Sequence, residues 1–192
     1  MRMNKIKDYK LSFNAPVILT FSCISLFSFL LSVITKGASN RLVFSVYRSS
    51  MLSPLTYIRF FGHVLGHMSW EHFLSNITII LLIGPLLEEK YGSRFIIKVM
   101  VITAFVTGVF HFVVMPGDML LGASGIAFAM ILLASITGHK NKEIPVSFLL
   151  IALIYIGGQI YEGILIKDNV SNITHIIGGV IGTCCGFGLK KD

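Results

Sequence analysis

Charge is scarce in this chain. Asp, Glu, Lys and Arg make up 13% of its 192 residues, while hydrophobic residues make up 54%. A soluble globular domain carries about 25% charged residues, so that class is excluded and a lipid bilayer is the expected setting. Acids are the scarcer sign, nine against sixteen Lys and Arg, for a net charge of +7. On so apolar a chain a basic excess sets orientation across a membrane, and nucleic acid is not expected as a partner. The three cysteines, Cys23, Cys184 and Cys185, lie in apolar stretches without a Cys-x-x-Cys. That leaves no disulfide framework, and the adjacent pair reads as small core residues rather than palmitoylation sites. No His-Glu-x-x-His is present, which argues against a membrane metalloprotease. No pair of aspartates lies within the apolar stretches, which argues against an aspartyl protease. Internal repeats and low-complexity segments are also missing, and the length suits one compact domain.

What is present is a series of six apolar stretches, at 16–34, 72–87, 95–115, 119–137, 144–161 and 173–189. Each is read as a spanning helix. Several fall short of the ~20 residues that cross a bilayer, so they lean on flanking residues or cross a thinned region. The first is too long for a signal-peptide core of ~7–15 residues, and no small-x-small site closes it. With the N-terminus inside, eleven Lys and Arg fall on inner segments. Five fall on outer ones: Lys36, Arg41, Arg48, Arg59 and Lys167. Both termini are therefore expected in the cytoplasm, with tails at 1–15 and 190–192 around one domain at 16–189. Residues 35–71 are too apolar for a free loop and too broken to span. An interfacial, partly embedded segment is expected there.

Polar side chains inside such stretches are costly and mark function. On this topology the second, fourth and sixth stretches run from outside to inside. His72 and Asn76 open the second, Ser124 lies about a turn into the fourth, and His175 lies near the start of the sixth. At ~1.5 Å rise per residue, all four converge on one depth below the outer surface. A serine hydroxyl becomes a nucleophile when a base takes its proton, and His175 is the candidate base. His72 and Asn76, spaced i, i+4 on one helix face, are candidate oxyanion donors, with the Ser124 N–H as a third. None of the nine acids lies near His175 on the sixth stretch, and Asp168 falls in the preceding loop. A Ser–His dyad is therefore expected, with the Phe128 ring, one turn below Ser124, stacked on the base. Gly125, Ala127 and Ala129 are small, as are Gly178 and Gly182. Gly178-x-x-x-Gly182 is a close-packing motif that would bring the fourth and sixth helices together.

These motifs, in this order, resemble the rhomboid family of intramembrane serine proteases over about residues 59 to 182. The family's Gly-x-Ser-Gly appears as Gly122 to Gly125, and its His-x-x-Gly-x-x-x-Gly as His175, Gly178 and Gly182. Its His-x-x-x-Asn pair appears as His72 and Asn76, and its Gly-x-x-x-Glu-x-x-x-Gly as Gly84, Glu88 and Gly92. His63 and His67 match histidines that precede the oxyanion pair. The family's first-loop Trp-Arg falls at Ile58-Arg59, and the ring beneath the base, commonly Tyr, is Phe128. The resemblance implies an all-α polytopic membrane protein. It would have six transmembrane helices of the rhomboid type and an embedded outer loop between the first two. It further implies a transmembrane protein substrate, cleaved near the outer face, with lateral entry beside the fifth helix and no cofactor or metal. If Phe148 and Leu149 face the second helix, changes there alter access along that route, and the sequence itself offers Gly157-Gly158 as a flexible point in the fifth stretch.

Other readings stand beside this one. His63 and His67 have the spacing of a metal pair, but a structural role in the outer loop is expected. Glu88 is expected to tie the second helix to the following loop, and His111 and His139 to be structural or solvated. A catalytically silent rhomboid-like protein that escorts membrane helices is the main alternative. Such relatives usually lack the serine or the histidine, and both are present. A small transporter would place its polar groups nearer the midplane. A compact six-helix chain without an organelle-targeting extension suggests a bacterial plasma membrane.

Overall fold

The computed structural model of the chain describes residues 10–137, 143–165 and 169–188. The expectations for residues 1–9, His139, Lys140, Lys142, Lys167, Asp168 and the 190–192 tail lie outside the described residues. The order is α1 (Pro16–Ile34), α2 (Ala38–Leu42), α3 (Pro54–Gly62), a 3-10 turn (His63–Leu65), α4 (Trp70–Tyr91), α5 (Ser93–Val114), α6 (Ser124–Ile136), α7 (Val146–Leu165) and α8 (Asn169–Gly188). Among the described residues the only β-type pairing is a single bridge between Val46 and Leu120. Three helices, α1, α4 and α5, are long and apolar enough to cross a membrane; α6 and most of α7 are apolar but shorter.

The start of α1 explains the junction of the first three long helices. Pro16 suits the first helical position, where no N–H is needed, but Ala15 before it offers no side-chain acceptor. The next two donors, Val17 N and Ile18 N, instead give their hydrogens to the Glu88 carboxylate on α4, at 3.0 and 3.1 Å. A carboxylate at a helix N-terminus also meets the positive end of the helix dipole. Ser93 Oγ, at the start of α5, donates to the same group at 2.7 Å. Glu88 thus holds the start of α5, where a tie to the following loop was expected, and α1 as well. Gly84, one turn back, makes room: a Cβ there would come within 2.6 Å of Ile18 Cδ1. Gly92 ends α4 at φ +81°, a left-handed turn that suits glycine.

The connection between α1 and α4 is held by buried polar groups. Arg59 Nε donates to Leu42 O at 2.9 Å, and its guanidinium lies 4.4 Å from the Tyr47 ring centroid. Asn40 Nδ2 donates to His67 O at 3.0 Å. Gly62 and Gly66 lie beneath the carbonyls of Val43 and Phe44, so a side chain at either would strike backbone.

The fourth apolar stretch is shorter as a helix than 119–137 suggests. Leu120 exchanges both backbone hydrogen bonds with Val46 at 2.9 Å, Gly122 N donates to His63 O at 2.9 Å, and Gly122 takes φ +129°. These ties hold the approach extended, and α6 begins at Ser124. Ser124 is therefore the first helical residue rather than one a turn inside. The other boundaries differ by a few residues; α4 starts at Trp70 because Ser69 caps it, accepting from His72 N at 3.1 Å.

Packing centres on α6 and α8, the most extensive helix pair. Ideal Cβ atoms at Gly178 and Gly182 would run into the carbonyls of Gly125 and Ala129. α7 packs on α6 and α8 and exposes Leu149, Leu150, Leu153 and Ile154. Phe148 meets Phe187 of α8 edge-on at 5.4 Å. It faces α8 rather than the second long apolar stretch, because the rotation of α7 is set by its contacts with α6 and α8.

Glu88→Ala strips three donors of their acceptor. Hydrogen bonds to charged groups contribute about 1.5–3 kcal/mol each, so a loss of at least that size is expected, read as a lower unfolding midpoint in detergent. An unchanged midpoint would show that the clamp contributes nothing.

Candidate active site

Four elements bring the polar residues together. Gly122 precedes α6 in a conformation that favours glycine. A Cβ there would lie 2.6 Å from His72 Nε2 and 3.6 Å from Asn76 Nδ2. Both α4 side chains therefore point at the turn that delivers Ser124. Asn76 is 5% exposed, and its Nδ2 has no hydrogen-bond partner among the described residues. An unpaired buried donor is costly, which makes this amide an available donor for a ligand. The Ser69 cap and the stack of Trp70 and Phe73 beside Phe29 fix the start of α4.

His175 sits in the second turn of α8. Its imidazole lies flat on Phe128, with centroids 4.4 Å apart and planes 5° from parallel. Phe128 is edged in turn by Tyr155 of α7 at 5.5 Å. The close approach of α6 and α8 continues to this end, since a Cβ at Gly125 would lie 3.6 Å from Thr174 O. Ser124 and His175 thus occupy neighbouring positions on facing helices. No hydrogen bond joins them among the described residues.

His63 and His67 do not converge on a shared ligand. His63 Nδ1 pairs with Arg59 O at 3.2 Å and Nε2 with Thr107 Oγ1 of α5 at 3.3 Å. His67 Nδ1 pairs with Leu65 O at 3.3 Å, and its ring meets His72 edge-on at 5.2 Å. Burial lowers both imidazoles to about 4, so at neutral pH they act as uncharged hydrogen-bonding groups. His67 also gives the connection between α1 and α4 a direct contact with the candidate oxyanion pair. His111 Nε2 pairs with Asp118 O at 3.1 Å, at the exit of α5.

One polar neighbour of His175 is not in the motif pattern. Gln159 Oε1, on α7, lies within hydrogen-bond distance of His175 Nδ1. Its signal in the sequence was an amide inside an otherwise apolar stretch, a costly placement that marks function. Which partner it meets depends on the rotation of α7 against α8, which spacing alone does not give.

This arrangement of long apolar helices around inward polar groups belongs to a multi-pass helical membrane protein. Residues 54–192 match the model of the rhomboid domain, and the chain belongs to the rhomboid family. It is 26% identical over 132 residues to rhomboid protease GlpG of Haemophilus influenzae, covering 67% of this chain and 68% of that protein. It is 25% identical over 138 residues to rhomboid-related protein 1 of Caenorhabditis elegans, covering 67% of this chain and 39% of the relative. Rhomboid protease GlpG of Enterobacter sp. (strain 638) is 25% identical over 133 residues, with 67% and 47% covered. The chain thus spans about two thirds of the first relative and less than half of the other two.

Gly178→Val should separate α6 from α8, because the added bulk meets the Gly125 carbonyl. Overpacking costs roughly 1–3 kcal/mol, so a lower unfolding midpoint is expected. Gly158→Ala, where a Cβ has nothing within 4 Å, is the control and should leave the midpoint unchanged. Equal stability of the two variants would show that the glycine contact is not a packing constraint.

Proposed function

We propose that this rhomboid-family protein is an intramembrane serine endopeptidase that cleaves transmembrane proteins through a Ser124–His175 dyad. The observation that carries the proposal is a convergence. His72 and Asn76 point at the Gly122 turn, Ser124 opens the helix after it, and His175 is held on Phe128 across the α6–α8 contact. Two of the relatives bear the name rhomboid protease.

In the proposed reaction Ser124 Oγ attacks the scissile carbonyl while its proton passes to His175 Nε2. The oxyanion accepts hydrogen bonds from Asn76 Nδ2, from His72 Nε2 in its N–H form and from the Ser124 backbone N–H. The tetrahedral intermediate collapses to an acyl-enzyme ester. The proton on His175 goes to the departing amine. Water then attacks the ester, with His175 again taking a proton, and Ser124 recovers its hydrogen as the acid product leaves. Gly125, Gly178 and Gly182 hold the two helices at working distance. Gly84, Glu88, Gly92, Arg59, His63 and His67 support the frame.

The topology belongs to the same proposal. α1, α4, α5, α6, α7 and α8 are the six spans of a single domain at 16–189, α2 and α3 form an embedded outer loop, and both termini are cytoplasmic in a bacterial plasma membrane. Cysteine-accessibility labelling in intact cells tests that orientation. A protein that only escorts helices would bind the same substrates without cleaving them.

Two outcomes are expected in proteoliposomes carrying a model transmembrane substrate. Ser124→Ala and His175→Ala each abolish cleavage while unfolding midpoints stay near wild type, since neither half of the unit works alone; robust turnover by either purified variant would remove the dyad. Asn76→Ala and His72→Ala lower turnover by the equivalent of about 2.7–4 kcal/mol of transition-state stabilisation. Wild-type rates in both would remove these residues from the site.

A further inference from the structure

Among the described residues the proposed base has no carboxylate beside it, yet its Nδ1 has a partner. Gln159 Oε1 lies within hydrogen-bond distance of His175 Nδ1. Gln159 Nε2 lies 3.3 Å from Glu162 Oε2, one turn further along α7. The carboxylate settles the direction of this chain. Ionised carboxylate oxygens only accept, so the amide must turn its NH2 toward Glu162. Its carbonyl then faces His175. Amide carbonyls also only accept, so Nδ1 must carry the ring hydrogen, and the lone pair is left on Nε2, the atom a base uses.

Phe128 and Gln159 constrain different freedoms of the same ring. The stack at 4.4 Å and 5° fixes the plane of the imidazole. Stacking alone allows rotation within that plane and either tautomer. A directional hydrogen bond to Nδ1 removes both freedoms. The burial pattern fits the division of labour: Glu162 is exposed, while Gln159 and His175 are half-buried. The full charge stays where water can solvate it, and a neutral amide carries its polarity inward, avoiding a charge at depth.

We infer that Gln159, oriented by Glu162, is the positioning residue for His175, fixing its Nδ1–H tautomer and its rotation toward Ser124. The inference rests on the serine-protease reading for its kinetic part and not for its tautomer part. Because the bond joins α7 to α8, it forms only while those two helices are seated together.

The test uses full-length protein in detergent micelles, labelled with 15N-histidine, at a pH where the imidazoles are neutral. His175 is assigned by the resonance lost in His175→Asn. Wild type should give the Nδ1–H tautomer at His175, and Gln159→Leu a mixture or the Nε2–H form. In cleavage of a model substrate, Gln159→Leu should lower kcat about tenfold to a hundredfold with KM unchanged, the scale of a small misplacement of a reacting group. Exchanging the pair, Gln159→Glu with Glu162→Gln, keeps an acceptor at Nδ1 and should restore both the tautomer and most of kcat. An interhelical tie with only a structural role would lower the unfolding midpoint in Gln159→Leu and leave the tautomer and kcat alone. Either an unchanged tautomer or an unchanged kcat in Gln159→Leu overturns the inference. If Gln159→Leu fails to fold, Glu162→Gln replaces it: the amide can then turn over, so the Nδ1–H fraction must fall, and an unchanged fraction overturns the inference. If wild type cleaves nothing and Ser124 is not labelled by a fluorophosphonate, the protease reading fails, and the tautomer measurement alone decides the role of Gln159.

Discussion

Two glycines on α8 lie directly against carbonyl groups of α6, and most of the site's geometry depends on that contact. In lipid there is no hydrophobic force to press apolar helices together; close backbone packing does it instead. Gly178 against Gly125 and Gly182 against Ala129 set the spacing of the pair. That spacing places the His175 ring within stacking distance of Phe128 and puts Ser124 on the facing helix. A methyl at either α8 glycine would enter a space held by backbone, which has no rotamer to yield. The contact therefore acts as a hard stop, and the proposed chemistry inherits its precision.

The connection between α1 and α4 is tied to the same place by a different kind of bond. The loop is short of regular structure, yet Arg59, Asn40, His63 and His67 each satisfy a carbonyl or hydroxyl inside it or beside it. Such polar ties replace the water that an exposed loop would use. They also reach the site: Gly122 N donates to His63 O, and His67 packs on His72. The turn before Ser124 and the candidate oxyanion pair are thus both braced from the loop side.

Much of this was legible in the sequence, because small residues at helical spacing and rare polar residues in apolar stretches leave strong patterns. α1 begins and ends where its apolar run does. The approach to α6 was not legible. Met119 to Ala123 are apolar or small and read as helix, and the ties of Leu120 to Val46 and of Gly122 to His63, all remote in sequence, hold them extended. Glu88 showed as an ionisable group at a helix end, but its bonds to Val17 and Ile18 join residues about seventy positions apart. Gln159 was not singled out from the sequence; its partner depends on how α7 is turned, which no local pattern encodes.

The clamp at Glu88 has a consequence for how the chain is made. The first helix leaves the ribosome with two backbone donors near its leading end that nothing in its own sequence can satisfy. Their acceptor is not synthesised until residue 88, after the whole connection between α1 and α4 and nearly all of α4. Unpaired amide groups are poorly tolerated in the hydrocarbon layer, so until then that end of α1 is best accommodated at the membrane surface. Insertion of the first helix and completion of that end are separate events, and the arrival of α4 is what makes the second one final.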